Sequence, residues 1–151
     1  MGDLLTPEIR SWIGRADPPL RLEVTRQDIV KYSIATEQRL DKYRQGDEAP
    51  PMFLYNAHQP LKPLTELRPD GITVDPLLPE LPLTRIMAGG VRNRYYRPIK
   101  AGDTLVLTRT LTDIYEKQGS TGPLIFVEYG IRVETQVGEL VMEELRRRIF
   151  R

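Results

Sequence analysis

The sequence has no cysteine and only one histidine, and these two shortages exclude more chemistry than any other feature. Without cysteine there is no disulfide, no thiolate nucleophile and no Cys-ligated metal, a composition suited to a reducing cytosol. With His58 alone, neither a two-histidine metal site nor a His-paired relay can be assembled within one chain, so no metal site is expected. Base chemistry has to come from His58, from a carboxylate, or from another subunit. A dominant charge is also lacking: 22 Lys and Arg face 21 Asp and Glu, so no global field recruits nucleic acid or an anionic membrane. No run approaches the ~18 apolar residues of a spanning helix. Residues 1–5 carry neither the basic nor the apolar region of a secretory leader. The expected setting is the cytoplasm, with no nucleic acid and no membrane as partner.

What is present fits one compact domain over residues 1–151, with 40% hydrophobic and 28% charged residues. Thr6, Pro7 and Glu8 supply an N-cap, a proline at the first helical position and an acid in the first turn, which predicts a short helix over Pro7–Ile13 closed by Gly14. Leu20, Leu22 and Val24 alternate with polar residues, the period of a half-buried strand. Thr25 to Asp28 resembles a capping box and opens a longer helix, which should leave the core near Leu40, because the chain is mostly polar from Glu37 to Glu48. Eight prolines between Ala49 and Pro82 argue against long regular structure there, with a short element at Met52–Tyr55 and otherwise a surface excursion. Strands are then expected at Val91–Arg97, Thr104–Lys117, Leu124–Thr135 and Glu139–Phe150, as an antiparallel meander. Ile125, Val127, Tyr129, Ile131 and Val133 should form one buried face.

A strand, a helix, a long excursion and several long antiparallel strands describe an α+β sheet wrapped around a central helix. Four stretches give the chain a family: VTRQDIVKYSIA (24–35), APPMF (49–53), AGGVRNRYYRPIKAGD (88–103) and the closing GELVMEELRRRIFR (138–151). They resemble the MaoC-like dehydratases, especially their N-terminal, fatty-acid-synthase-like dehydratase domain. The Gly-Gly strand leading to Arg-Pro and then Gly-Asp is the most specific of the four. The resemblance implies a single hot-dog fold and the reversible addition of water across the α,β double bond of an acyl thioester on coenzyme A or acyl carrier protein, with no other cofactor. Active members carry an Asp and a His on a loop after the central helix, in a pattern near Gly-Asp-x-Asn-Pro-x-His. Here Glu37 to Tyr43 occupies that stretch; its glycine, asparagine, proline and histidine are missing, and Asp41 alone cannot supply the pair. The resemblance therefore implies the substrate-shaping half of a hydratase or dehydratase. A partner hot-dog subunit would supply Asp and His, with the chain itself as the alternative partner in a homodimer.

Each candidate residue has a plainer reading beside the functional one. His58 is either a relocated base or a surface histidine. Gly89 and Gly90 either bring backbone close to a thioester carbonyl, where an amide can meet a developing oxyanion, or form a bulge that bends the strand. Arg92, Arg94 and Arg97, with Tyr95 and Tyr96, either contact coenzyme A phosphates and adenine or form a solvated face. Alternation sends Arg146, Arg147 and Arg148 to opposite faces in turn. Pro51 and Phe53 either line an acyl pocket or cap the core. A substrate that binds without turnover would make the chain an acyl-thioester binding module.

Overall fold

A computed structural model of the chain describes residues 3–55, 57, 59 and 61–151, and His58 lies outside the described residues. In chain order the elements are α1 (Pro7–Arg10), β1 (Leu20–Glu23), α2 (Arg26–Ala35), α3 (Asp41–Arg44), β2 (Ile86–Tyr95), β3 (Thr104–Gly119), β4 (Gly122–Thr135) and β5 (Leu140–Phe150), with a 3-10 turn at Leu64–Glu66. The strands form one antiparallel sheet in the order β1-β3-β4-β5-β2. This is the expected α+β hot-dog layout.

The period-two pattern of β4 holds: Ile125, Val127, Tyr129, Ile131 and Val133 are all buried on one face, here called inner. Two patches cover that face. Ile29 of α2 and Ala49 and Leu54 pack with Leu105, Leu107, Ile131 and Val133. Leu5, Ile9, Leu77 and Leu81 pack with Leu111, Ile114, Ile125, Val127 and Phe150. Each fully buried aliphatic side chain contributes roughly 1.5–3 kcal/mol.

Several boundaries differ from expectation, each for a local reason. The hydroxyl of Thr25 accepts from the amide of Asp28 and starts α2 as the capping pattern predicts. The helix ends at Ala35 instead of running on to Leu40, with only Ile29 and Ser33 buried on it. Ile34 already faces outward, so further turns would bury nothing, and Leu40 begins α3 instead. Helix α1 ends at Arg10, three residues short of Ile13, and turns lead to Gly14, whose amide donates to Leu111 O across 2.7 Å. Met52–Tyr55 is a pair of hydrogen-bonded turns rather than a regular element. Strand β2 begins at Ile86 because its pairing with β5 continues past the glycines to Ile86 opposite Phe150, and it ends at Tyr95.

The meander covers β3, β4 and β5 only. Strand β2 pairs with β5 at the far edge, not with β3, which follows it in sequence. The chain crosses from the β2 edge to β3, which lies next to the other edge strand, through Ile99 to Asp103, held by Ala49 N to Ile99 O, Gly102 N to Val24 O and Val24 N to Asp103 O. The outer side of β2 has no strand beside it among the described residues. Among them, too, no helix is long and apolar enough to cross a membrane.

Candidate functional site

The stretch after α2 is where the family pattern places its base. Thr36 caps the helix by donating to Tyr32 O, Glu37 takes a left-handed φ of 53°, and Gln38 N returns to Ser33 O. The Ser33 hydroxyl donates to Tyr43 O at 2.9 Å, tying α2 to α3. Between the two helices lies a groove of about 400 Å³ lined by Ser33, Ile34, Glu37, Gln38, Asp41 and Arg44. Asp41 opens α3 with an exposed side chain 3.8 Å from Arg44. Its carboxylate points into water beside a cation, a poor setting for general-base work.

A second concavity, about 310 Å³, sits at the end of β2 and is lined by Tyr43, Pro50, Pro51, Tyr95, Tyr96 and Arg97 among others. The Tyr95 hydroxyl accepts from Met52 N at 3.3 Å and from the Asn93 amide at 3.1 Å, which locks the proline turn against the strand. Pro51 and Tyr95 therefore come together. Phe53 does not join them: it meets Tyr32 edge-on, with ring centroids 5.6 Å apart, and packs against the first core patch. Burial, followed by the nearby Tyr95, raises the Tyr32 phenol. Arg92 is exposed and, by alternation, projects from the opposite face to Asn93 and Tyr95. Arg94 shares that outer face. Arg97 is held by Asp103 at 3.1 Å and by Pro98 O at 2.8 Å.

Gly89 and Gly90 form a bulge, since Ala88 pairs with Arg148 and Gly90 with Arg147. They need glycine for different reasons. A Cβ on Gly89 would lie 2.7 Å from Arg147 Cγ and 3.0 Å from Arg147 O, whereas Gly90 has open space but a φ of 105°. The bulge stands six residues from Tyr95, roughly 20 Å along the strand, so the glycines and the Pro51–Tyr95 concavity are separate parts of one edge.

Between the two core patches runs a buried polar seam that the sequence reading missed. Arg109 donates to Asp17 at 2.7 Å and to both oxygens of Asp75 at 2.8 and 3.2 Å. Asp75 also accepts from Tyr129 at 2.9 Å and from Arg148 at 3.2 Å. Burial opposes the Asp75 charge, but Arg109 outweighs it and holds the carboxyl below the usual range. Burial and the Asp75 charge push the Tyr129 phenol up. Beside this lies a second pair, Arg146 donating to Glu144 at 2.7 Å, with the Arg146 guanidinium 4.1 Å from the Tyr55 ring centroid and bonded to Tyr55 O. Burial raises the Glu144 carboxyl against the pull of Arg146. One signal in the sequence could have found these groups: Glu144, Arg146 and Arg148 share the parity of Met142 and Phe150 along β5. Arg147 lies on the other face, bound to Glu128 at 2.7 Å, so the expected alternation of the three arginines is observed.

Comparison with known proteins gives consistent results. The family described as "FAS1-like, dehydratase domain region" matches residues 11–144. The mesaconyl-C(4)-CoA hydratase of Chloroflexus aurantiacus is 27% identical over 128 residues, which are 82% of this chain and 44% of that protein. The chain thus spans less than half of that relative. A UPF0336 protein of Streptomyces griseus is 26% identical over 94% of both chains. Among solved structures, the C-terminally truncated HadBC (3R-hydroxyacyl-ACP dehydratase) complex of Mycobacterium tuberculosis superposes with a TM-score of 0.63 at 17% identity, covering 91% of this chain and 96% of that one. That likeness supports the fold.

Proposed function

The chain belongs to the FAS1-like dehydratase domain family, within the MaoC-like hot-dog hydratases and dehydratases, and from that premise we propose that it is the substrate-shaping subunit of a heteromeric enoyl-thioester hydratase or 3-hydroxyacyl-thioester dehydratase. In this reading residues 1–151 are one hot-dog domain, and a partner hot-dog subunit supplies the Asp and His that activate water. The observation that carries it is the stretch after α2. Its one Asp is exposed beside Arg44, and its neighbours are Glu37, Gln38 and Leu40, with no histidine to complete an Asp-His pair.

The open outer edge of β2 is the place for the partner, because an unpaired strand presents its amides and carbonyls for pairing. The thioester of coenzyme A or acyl carrier protein would lie along the same edge. Backbone amides at Gly89 and Gly90 would meet the enolate oxygen as charge develops. Pro51, Tyr95 and, behind them, Phe53 would bound the substrate, with Arg92 available to phosphate on the outer face. Two comparisons support a two-part assembly. The Chloroflexus hydratase has room for another unit beyond the span this chain matches, and HadBC is itself named as a complex.

Purification of the tagged chain from its native host tests the reading. A co-purifying hot-dog subunit that carries the Asp-His loop is the expected result. A homogeneous homo-oligomer that hydrates enoyl-CoA would overturn it in favour of a base such as His58, and binding without turnover in any assembly would make the chain a thioester binding module.

A further inference from the structure

The excursion between α3 and β2 is pinned to the sheet at two neighbouring points. At Tyr55 the backbone carbonyl accepts from Arg146, and the ring lies 4.1 Å from its guanidinium. At Asp75 the carboxylate accepts from Arg148, Arg109 and Tyr129. Arg146 and Arg148 are two residues apart on the inner face of β5, about 7 Å along the strand. The chain between these pins therefore leaves and returns through a narrow neck, as compact surface loops do.

The register places that neck. Arg148 pairs with Ala88 and Arg146 with Val91, so the two pins flank the Gly89–Gly90 bulge on the adjacent strand. Ile86 and Val91, on either side of the bulge and on its inner face, leave apolar surface uncovered. Within the loop, residues 61–74 are exposed at every position except Leu67 and Thr73, which bridge its two arms. Its four charges pair off within the loop, Lys62 with Glu66 and Arg68 with Asp70, each at 3.1 Å. Four large aliphatic side chains stand out among the rest: Leu61 is wholly exposed, Leu64 86%, Val74 69% and Ile72 53%. A loop that neutralises its own charge and holds four large aliphatics in water is built to cover something apolar.

We propose that Leu61–Val74 is a lid that closes on the acyl chain of the bound thioester, with Leu61, Leu64, Ile72 and Val74 as the residues that select chain length. The proposal rests on the thioester reading above. Chain length matters because the carrier and the carbonyl are common to all substrates, while the lid meets only the hydrocarbon. A short acyl group ends before it reaches the aliphatics, and a long one fills the space between them and Ile86 and Val91.

The test compares butanoyl-CoA with dodecanoyl-CoA by calorimetric binding to the complex purified from the native host, together with amide hydrogen exchange over 61–74 of this chain. Dodecanoyl-CoA should bind more tightly and slow exchange in the lid, and butanoyl-CoA should leave exchange unchanged. Leu64→Ser with Val74→Ser, both at exposed positions, should keep the melting temperature, lose roughly tenfold or more in affinity for the long chain, and leave the short chain unaffected. If dodecanoyl-CoA binds the double variant as well as the native chain and the lid exchanges at its free rate, the lid assignment is overturned and the thioester reading stands. If neither thioester binds, the thioester reading fails and the lid with it. Protection of 61–74 by a copurified subunit in the absence of any thioester would overturn the acyl occupant in favour of a subunit contact.

Discussion

Replacing Asp75 by Asn should unfold the chain more easily by about 3 kcal/mol at neutral pH, and the loss should depend on pH in a defined direction. The side chain is 8% exposed and accepts from Arg109, Arg148, Tyr129 and the Leu77 amide. Removing one partner of a buried charge cluster typically costs ~3–5 kcal/mol, because the remaining charges stay buried without compensation. The lower end applies here, since Asn keeps the shape and one acceptor, and Arg109 retains Asp17 at 2.7 Å. The native carboxyl titrates below its ordinary value of ~3.9, so the unfolded chain takes up the proton first as acid is added. The contribution of the charge is then complete above about pH 4 and is lost as pH falls through the native value. Urea denaturation of both proteins at pH 7 and pH 3 measures it: the gap between them should be narrower at pH 3. A gap under about 1 kcal/mol at pH 7, or one that does not change with pH, would refute the account of the seam.

Other substitutions separate local effects by mechanism. Gly89→Ala places a Cβ against Arg147 and should lower stability by about 1–3 kcal/mol, whereas Gly90→Ala meets no atom and should cost about 1 kcal/mol through its positive φ alone; thermal melts of the pair give the ranking. Tyr95→Phe removes the acceptor of Met52 N and Asn93, for a loss near 1 kcal/mol in the same assay. Thr25→Ala should cost about 1 kcal/mol by uncapping α2. His58→Ala in the purified complex should leave turnover nearly intact; a fall of ~10²-fold, the usual worth of a general base, would make His58 that base.

The sheet was legible because its signal is local. Alternation along Ile125–Val133 fixes one buried face within nine residues of chain, and a strong cap at Thr25 fixes a helix start. The end of α2 was not legible, since Val30 and Ile34 keep the i, i+4 spacing of a buried helix face, which only the exposure of Ile34 contradicts. Pairing of β2 with β5 is a contact between distant segments, set by where Ile99 to Asp103 crosses the sheet, and no periodicity encodes it. The candidate site was legible in part. The Gly-Gly bulge was one of the two readings open for that pair, but the meeting of Pro51 with Tyr95 was not foreseen, Phe53 turned into the core and Arg92 to the outer face. The seam escaped because Asp75 sits in a proline-rich stretch with no pattern of its own and finds Arg109 and Arg148 only after folding.

The central claim is that this chain shapes the site of a hydratase or dehydratase and draws its base from another subunit. Enoyl-CoA hydration by the purified chain, measured beside the complex recovered from the native host at equal chain concentration, addresses it directly. The account predicts turnover in the complex and a rate for the chain alone lower by ~10²-fold or more, the contribution expected of a missing general base. Equal rates in the two preparations would contradict it.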